Sequence, residues 1–333
     1  MARGAARAAL AWLALCAACA ATLGGTLSAF NASSTTPSAS FTAATDWTAP
    51  TASAGVIGRT TAYYPGYIEQ DASYYVYANV TDTGNPASGM GSVTANVDTT
   101  TSAHPAVALV AGSYTAGGVA YNYRTAALTA NSTLSAGAYA FTITSTDTAA
   151  NSETQSFTVT VDNTAPAASD VQSTNVSGGT VGHLDQGDTL TLAYNGVIDP
   201  YSILSGWNGT STKVQVDLVD GGAKANDSVE IYNTESTPVQ IPVGVVDLDS
   251  RSYLTAGSGQ HIVYGAQGTA TPSTMIQNGA TIVIDLGTPS GASSTSTTQA
   301  AMVWAPSTSA TDVAGTAVSA STATQSGTAH VNF

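Results

Sequence analysis

The side chains able to do chemistry in this chain are almost all carboxylates. Asp247-Leu-Asp249 would set two acids on one face of a strand, the kind of pair that glycoside hydrolysis uses. Arg251, two residues on, is the expected partner of a solvated acidic face. Asp82, Asp147 and Asp162 fall at turns or strand ends of the first half, Asp162 at the hinge between the halves, where hard oxygens could take Ca²⁺ and stiffen the joint. These three are the candidate metal ligands, and calcium is the one candidate ion; no organic cofactor is implied. His104, His183, His261 and His330 show no HExxH or other ligand spacing. No nucleophile elbow, phosphate loop or dinucleotide fingerprint marks an activated serine or a nucleotide site. A hydrolase would need Asp247, Asp249 and His261 gathered in one cleft. Trp47, Trp207 and Trp304, if exposed, could stack on sugar rings, but as single, scattered residues they are expected in core or corner packing. Six Asn-x-Ser/Thr sequons, at Asn31, Asn79, Asn131, Asn175, Asn208 and Asn226, are acceptors only in a host that glycosylates asparagine.

The elements that must position these groups belong to a chain with few ions. Of 333 residues, 8% are charged, with 7 Lys+Arg against 21 Asp+Glu and a formal charge of −14. Surface polarity therefore comes from Ser, Thr, Asn and Gln. Nucleic acid and anionic membrane surfaces are excluded as partners, because both demand clustered Lys/Arg and the only lysines are Lys213 and Lys224. Disorder is a poor description of a chain with 43% hydrophobic residues and 15 Tyr.

Arg3 and Arg7 precede an uncharged run from Ala8 to Thr22, and small residues at Ala18-Cys-Ala20 and Leu27-Ser-Ala29 offer cleavage sites. The expectation is a signal peptide over 1–29, a flexible leader over 30–48, and export with no membrane insertion of the mature chain. Cys16 and Cys19 are the only cysteines, so the mature protein has no disulfide and no thiolate. Thr22-Leu-Gly-Gly-Thr-Leu-Ser-Ala-Phe30 and Ser38-Ala-Ser-Phe-Thr-Ala43 resemble the signal region of proteins processed by SipW-type signal peptidases, among them biofilm-matrix fibre proteins of the TasA and camelysin kind. That resemblance stops before the body of the chain.

Self-comparison divides the body. Thr48-Ala-Pro-Thr-Ala-Ser53 recurs as Thr164-Ala-Pro-Ala-Ala-Ser169, and Thr146-Asp-Thr-Ala149 as Thr311-Asp-Val-Ala314. Two diverged units follow, 49–165 and 166–333. Within them the hydrophobic period is two: Tyr139/Phe141/Ile143, Phe157/Val159/Val161, Leu190/Leu192/Tyr194, Val214/Val216/Leu218, Val229/Ile231 and Ile282/Ile284/Leu286. Gly- and Asn-rich turns separate the runs. The fold class expected is all-β, two tandem antiparallel sandwiches, the second larger and holding extra strands or long loops around 201–210 and 247–275.

Leu134-Ser-Ala-Gly-Ala-Tyr139 resembles the tyrosine corner of Ig-like folds, in which the phenol bonds a backbone group upstream. With Thr146-Asp-Thr-Ala-Ala-Asn151 and Val161-Asp-Asn-Thr-Ala-Pro166, the first unit resembles bacterial Ig-like adhesin repeats; Ala150 stands where that pattern has Gly, which leaves the turn there open. Gly187-Asp-Thr-Leu-Thr-Leu192, Ile198-Asp-Pro200 and Thr311-Asp-Val-Ala-Gly315 make the second resemble SbsA-type Ig-like domains of surface proteins. The resemblance implies a secreted, cell-surface or matrix protein, non-catalytic, structural or adhesive, whose partners are copies of itself, other surface proteins or polysaccharide. The alternative is a carbohydrate-binding module in which Trp207 or Trp304 meets cell-wall or extracellular polysaccharide.

Overall fold

Alternate side chains of short strands point into two separate interiors. The computed structural model describes residues 46–255, 257 and 259–333. The signal peptide, the leader as far as residue 45, Cys16, Cys19 and Asn31 lie outside the described residues. The first strand set is β1 (Thr51–Gly58), β2 (Tyr67–Ile68), β3 (Ser73–Thr81), β4 (Met90–Asn96), β5 (Val107–Ala116), β6 (Val119–Thr125), β7 (Leu128–Thr129), β8 (Gly137–Asp147) and β9 (Ser152–Val161). Their hydrogen-bonded order is β1-β3-β6-β5-β4-β8-β9-β2, with β7 beside β3. Only β2 and β9 run parallel. β5 passes between layers: Val107 and Ala108 pair with β4, while Leu109 onward pairs with β6. β1 then lies across β8 and β9, and Gly55 allows this, since a Cβ there would stand 2.6 Å from Ile143 and 2.7 Å from Phe157.

The second set is β10 (Ala168–Thr174), β11 (Thr189–Tyr194), a single helical turn α1 (Pro200–Ile203), β12 (Thr212–Val219), β13 (Ser228–Tyr232), β14 (Gln240–Asp247), β15 (His261–Tyr264), β16 (Ser273–Asn278), β17 (Thr281–Asp285), β18 (Val303–Ala305) and β19 (Ala323–Thr324). The order is β10-β11-β17-β16-β12-β13-β14-β18-β19, with β15 beside β12. β12 switches layers as β5 does, pairing with β16 up to Val214 and with β13 from Gln215. The result is nearly all β, two sheets in sandwich- or barrel-like arrangements. Among the described residues no strand pairs across 162–167, and the two main hydrophobic clusters share no residue.

The alternating runs do face inward. Phe141, Ile143, Val159 and Val161 are buried in the first set, and Leu190, Leu192, Tyr194, Val214, Val216, Leu218, Ile282 and Ile284 in the second. Tyr139 Oη donates to the Ser135 carbonyl at 3.0 Å, the upstream bond its motif calls for. Two of the tryptophans are core residues, which corrects the sugar-stacking alternative and agrees with the packing expected of single, scattered tryptophans. Trp304 is fully buried, donates to the Val243 carbonyl at 2.8 Å, and packs edge-on against Tyr194. Trp207 is 5% exposed, with its indole N–H on the Thr210 carbonyl. Neither can stack on a sugar, because each ring fills its own core. Trp47 alone of the three is exposed. Among the described residues no helix is long and apolar enough to cross a membrane.

Candidate functional site

Asp46 precedes β1, Asp82 follows β3, and Asp147 closes β8. Antiparallel pairing of Thr51 with Thr81 and of Met90 with Asp147 brings these strand ends together. One carboxylate oxygen from each lies within 4.8 Å of the others. Asp46 accepts from the Thr48 N–H at 2.9 Å and the Ser88 N–H at 2.8 Å. Asp82 accepts from Gly84 at 3.2 Å and Gly89 at 2.7 Å. Asp147 takes the backbone N–H of Asn151 at 2.8 Å and its side-chain amide at 2.7 Å. The Thr48 and Ser88 amides hold the Asp46 carboxyl below its ordinary value, so it stays ionised. Gly84 lies against that carboxylate with no room for a Cβ. None of the described ion pairs involves the three acids. Like charges so close repel, and a hard divalent cation is the species that would offset them.

Asp162, expected with Asp82 and Asp147, is not in this cluster. It is the second-unit counterpart of Asp46. Asp162 accepts from Thr164 N–H at 3.0 Å as Asp46 does from Thr48. Thr316 Oγ1 reaches the Asp162 carbonyl at 3.3 Å, as Asn151 Nδ2 reaches that of Asp46 at 3.1 Å. Asp312 accepts the Thr316 N–H at 2.8 Å, and Asp147 that of Asn151 at the same distance. Ala150 and Gly315 both sit at positive φ, 69° and 110°. One turn therefore serves both units, alanine notwithstanding. Register matches Val80 with Tyr194, opposite Ala52 and Ala168, so the position of Asp82 falls on Gly196. The third acid is missing there. A pocket of about 490 Å³ lies at that place, lined among others by Tyr64, Tyr67, Asp162, Asn195, Val197 and Asp312.

Beside the pocket the two strand sets are locked together. Asp199, 1% exposed, caps α1 through the Tyr201 N–H at 3.0 Å and receives the Tyr63 N–H of the first unit at 3.0 and 3.2 Å. Arg59 stands 3.5 Å from the same carboxylate but is not aligned to hydrogen bond with it. Burial raises the Asp199 pKa, opposed by the Tyr63 and Tyr201 amides and the Arg59 charge. Thr316 Oγ1 also donates to Glu69 at 2.9 Å, and the Tyr63 and Tyr201 rings meet at 5.4 Å.

No protein-family model matches the chain, and no curated protein matches it. Among solved structures it is similar to the dimeric latent PorU from Porphyromonas gingivalis, at 14% identity and a TM-score of 0.23. That match covers 73% of this chain and 20% of the other, so the chain spans about a fifth of that protein's length. It is also similar to a carbohydrate-binding module from the β-sandwich superfamily, described as promiscuous in specificity, at 14% identity and a TM-score of 0.21, covering 72% of this chain and 98% of that one. Neither likeness is strong enough to carry an argument about function.

The remaining sequence candidates disperse. His261 Nε2 contacts Asp217 at 2.7 Å. Asp247 lies on β14, separated from His261 on β15 by β13 and β12, or about 14 Å at ordinary strand spacing. Asp247 and Asp249 share the Asn226 side-chain amide, and Arg251, expected to partner them, donates to the Ala223 carbonyl. His183 contacts Asp185, while His104 and His330 contact the carbonyls of Ser102 and Thr328. The Asn79 amide is engaged by the Ala120 carbonyl, and those of Asn131 and Asn226 by side chains. Asp46, Asp199 and Asp312 are the functional candidates that the motifs did not single out.

Proposed function

We propose that the chain is a secreted, non-catalytic structural or adhesive protein, built of two tandem Ig-like β-sandwich modules that act as one stiff unit at a cell surface or in a matrix. The observation that carries this is Asp199, a buried carboxylate of the second module whose hydrogen bonds are shared with the Tyr63 backbone of the first. A flexible spacer needs no such group, and burying one without partners would be costly. The separation of Asp247 from His261 supports a chain without turnover chemistry. In this reading calcium binds at Asp46, Asp82 and Asp147 and stiffens the first module, and the partners are further copies or other surface polymers. Melting and sedimentation of the full chain in EDTA and in excess CaCl₂ test it. The expected result is a higher melting temperature with calcium and reversible self-association at high concentration. A monomer whose melting temperature does not move contradicts both parts.

A further inference from the structure

The pocket at the joint combines features that no packing role uses. Asp312 is 4% exposed, and its Oδ1 accepts the N–H groups of Ala314, Gly315 and Thr316, while its Oδ2 takes no hydrogen bond. Asp162 likewise bonds through Oδ1 alone. Burial, countered by those three amides, raises the Asp312 pKa, and the charge of Asp162 raises it further. Among the described residues no Lys or Arg lines the cavity. Tyr64 and Tyr67 supply aromatic surface, Tyr67 being 38% exposed, and neither phenol is hydrogen-bonded. Asn195 accepts from the Ala167 N–H, leaving its amide donors free.

We propose that this pocket binds the ammonium-bearing ring of an amino-sugar polymer, with Asp162 and Asp312 facing the ammonium and the tyrosines facing the ring. Two carboxylates with no ion-pair partner among the described residues favour a cation, and aromatic rings strengthen that preference. A bare metal ion would leave the tyrosines and most of the volume unused, since about 300–1,000 Å³ is the ordinary size of a small-molecule site. The pyranose C–H face suits a tyrosine ring, and ring hydroxyls suit the Asn195 amide and the phenols. The site exists because Gly196 stands where the first module has Asp82. The proposal does not depend on calcium or on self-association.

Titration calorimetry of the full chain with a glucosamine tetramer tests it, against the fully N-acetylated tetramer, lysine amide and the wild type's exposed-acid variant Asp249→Asn. Expected is binding of the free-amine tetramer that weakens about tenfold or more, roughly 1.4 kcal/mol, on acetylation, in Asp162→Asn and in Tyr67→Ala, and is unchanged in Asp249→Asn. Melting curves of the variants establish that they are folded; should Asp162→Asn not fold, Tyr67→Ala and the acetylated ligand decide. Equal affinity for the acetylated tetramer, equal affinity for lysine amide, loss of binding in Asp249→Asn, or no binding of the free-amine tetramer overturns the assignment.

Discussion

Ala150 occupies a backbone region that costs an L-residue about 1–2 kcal/mol, at φ 69°. Its twin in the second module is Gly315, and the surrounding bonds are the same: Asp147 N–H to the Asn151 carbonyl at 3.0 Å, Asp312 N–H to that of Thr316 at 2.9 Å. Ala150→Gly should therefore stabilise the protein by about 0.5–1 kcal/mol in chemical denaturation, the glycine's added freedom in the unfolded chain offsetting part of the relief. Gly315→Ala should destabilise, because its Cβ would stand 2.6 Å from the Arg59 guanidinium beside Asp199. The sequence left that turn open at Ala150, and spacing alone could not decide it. The Thr-Ala-Pro repeat extends two residues upstream to Asp46 and Asp162, which makes Asp162 a marker of where Asp46 belongs rather than a ligand beside Asp82. Asp199 had no such signal, since its partner is the backbone of Tyr63, 136 residues away.

Strand faces were legible because the side-chain period is two, and Leu190/Leu192/Tyr194 needed nothing more. Layer membership was not. β12 is buried on both faces, with Gln215 and Asp217 bonded to each other at 2.9 Å opposite Val214, Val216 and Leu218, and no pattern of polar alternation reveals that. Trp207 and Trp304, single and scattered, read as core or corner packing, and both are buried. β5 offers an edge open to pairing with another chain. From Leu109 to Ala116 it pairs on one side only, carries no charge, and leaves Val110 62% exposed; its bulge between Ala111 and Tyr114 is its only protection. Val110→Glu should abolish the proposed self-association in sedimentation while changing stability by less than about 0.5 kcal/mol, since its carboxylate would face Arg124 on the paired strand. Association that persists unchanged in this variant would move the contact elsewhere.

Across the whole molecule the buried acids set an unusual pH response. Asp188, Asp199, Asp227 and Asp312 have pKa values raised above 3.8, chiefly by burial. The folded state thus binds more protons than the unfolded chain between 3.8 and those raised values, and stability rises as pH falls through that window. Asp46, held low by the Thr48 amide, acts oppositely, as does Asp170, where bonds from Gln172 and Ser326 outweigh burial. Their contribution is present above 3.8 and is lost below it. The melting temperature in EDTA should climb as pH falls through the window between those raised values and 3.8, and turn down below it; a steady fall through that window would show that the buried acids do not govern the response. Relief of the −14 net charge works in the same direction.

The proposed stiffness of the pair is read most directly by scanning calorimetry of the full chain. Modules coupled through Asp199 should unfold in one transition, with calorimetric and van't Hoff enthalpies equal, and Asp199→Ala should split it into two after a loss of about 3–5 kcal/mol. Two separate transitions in the unaltered protein, untouched by Asp199→Ala, would contradict it.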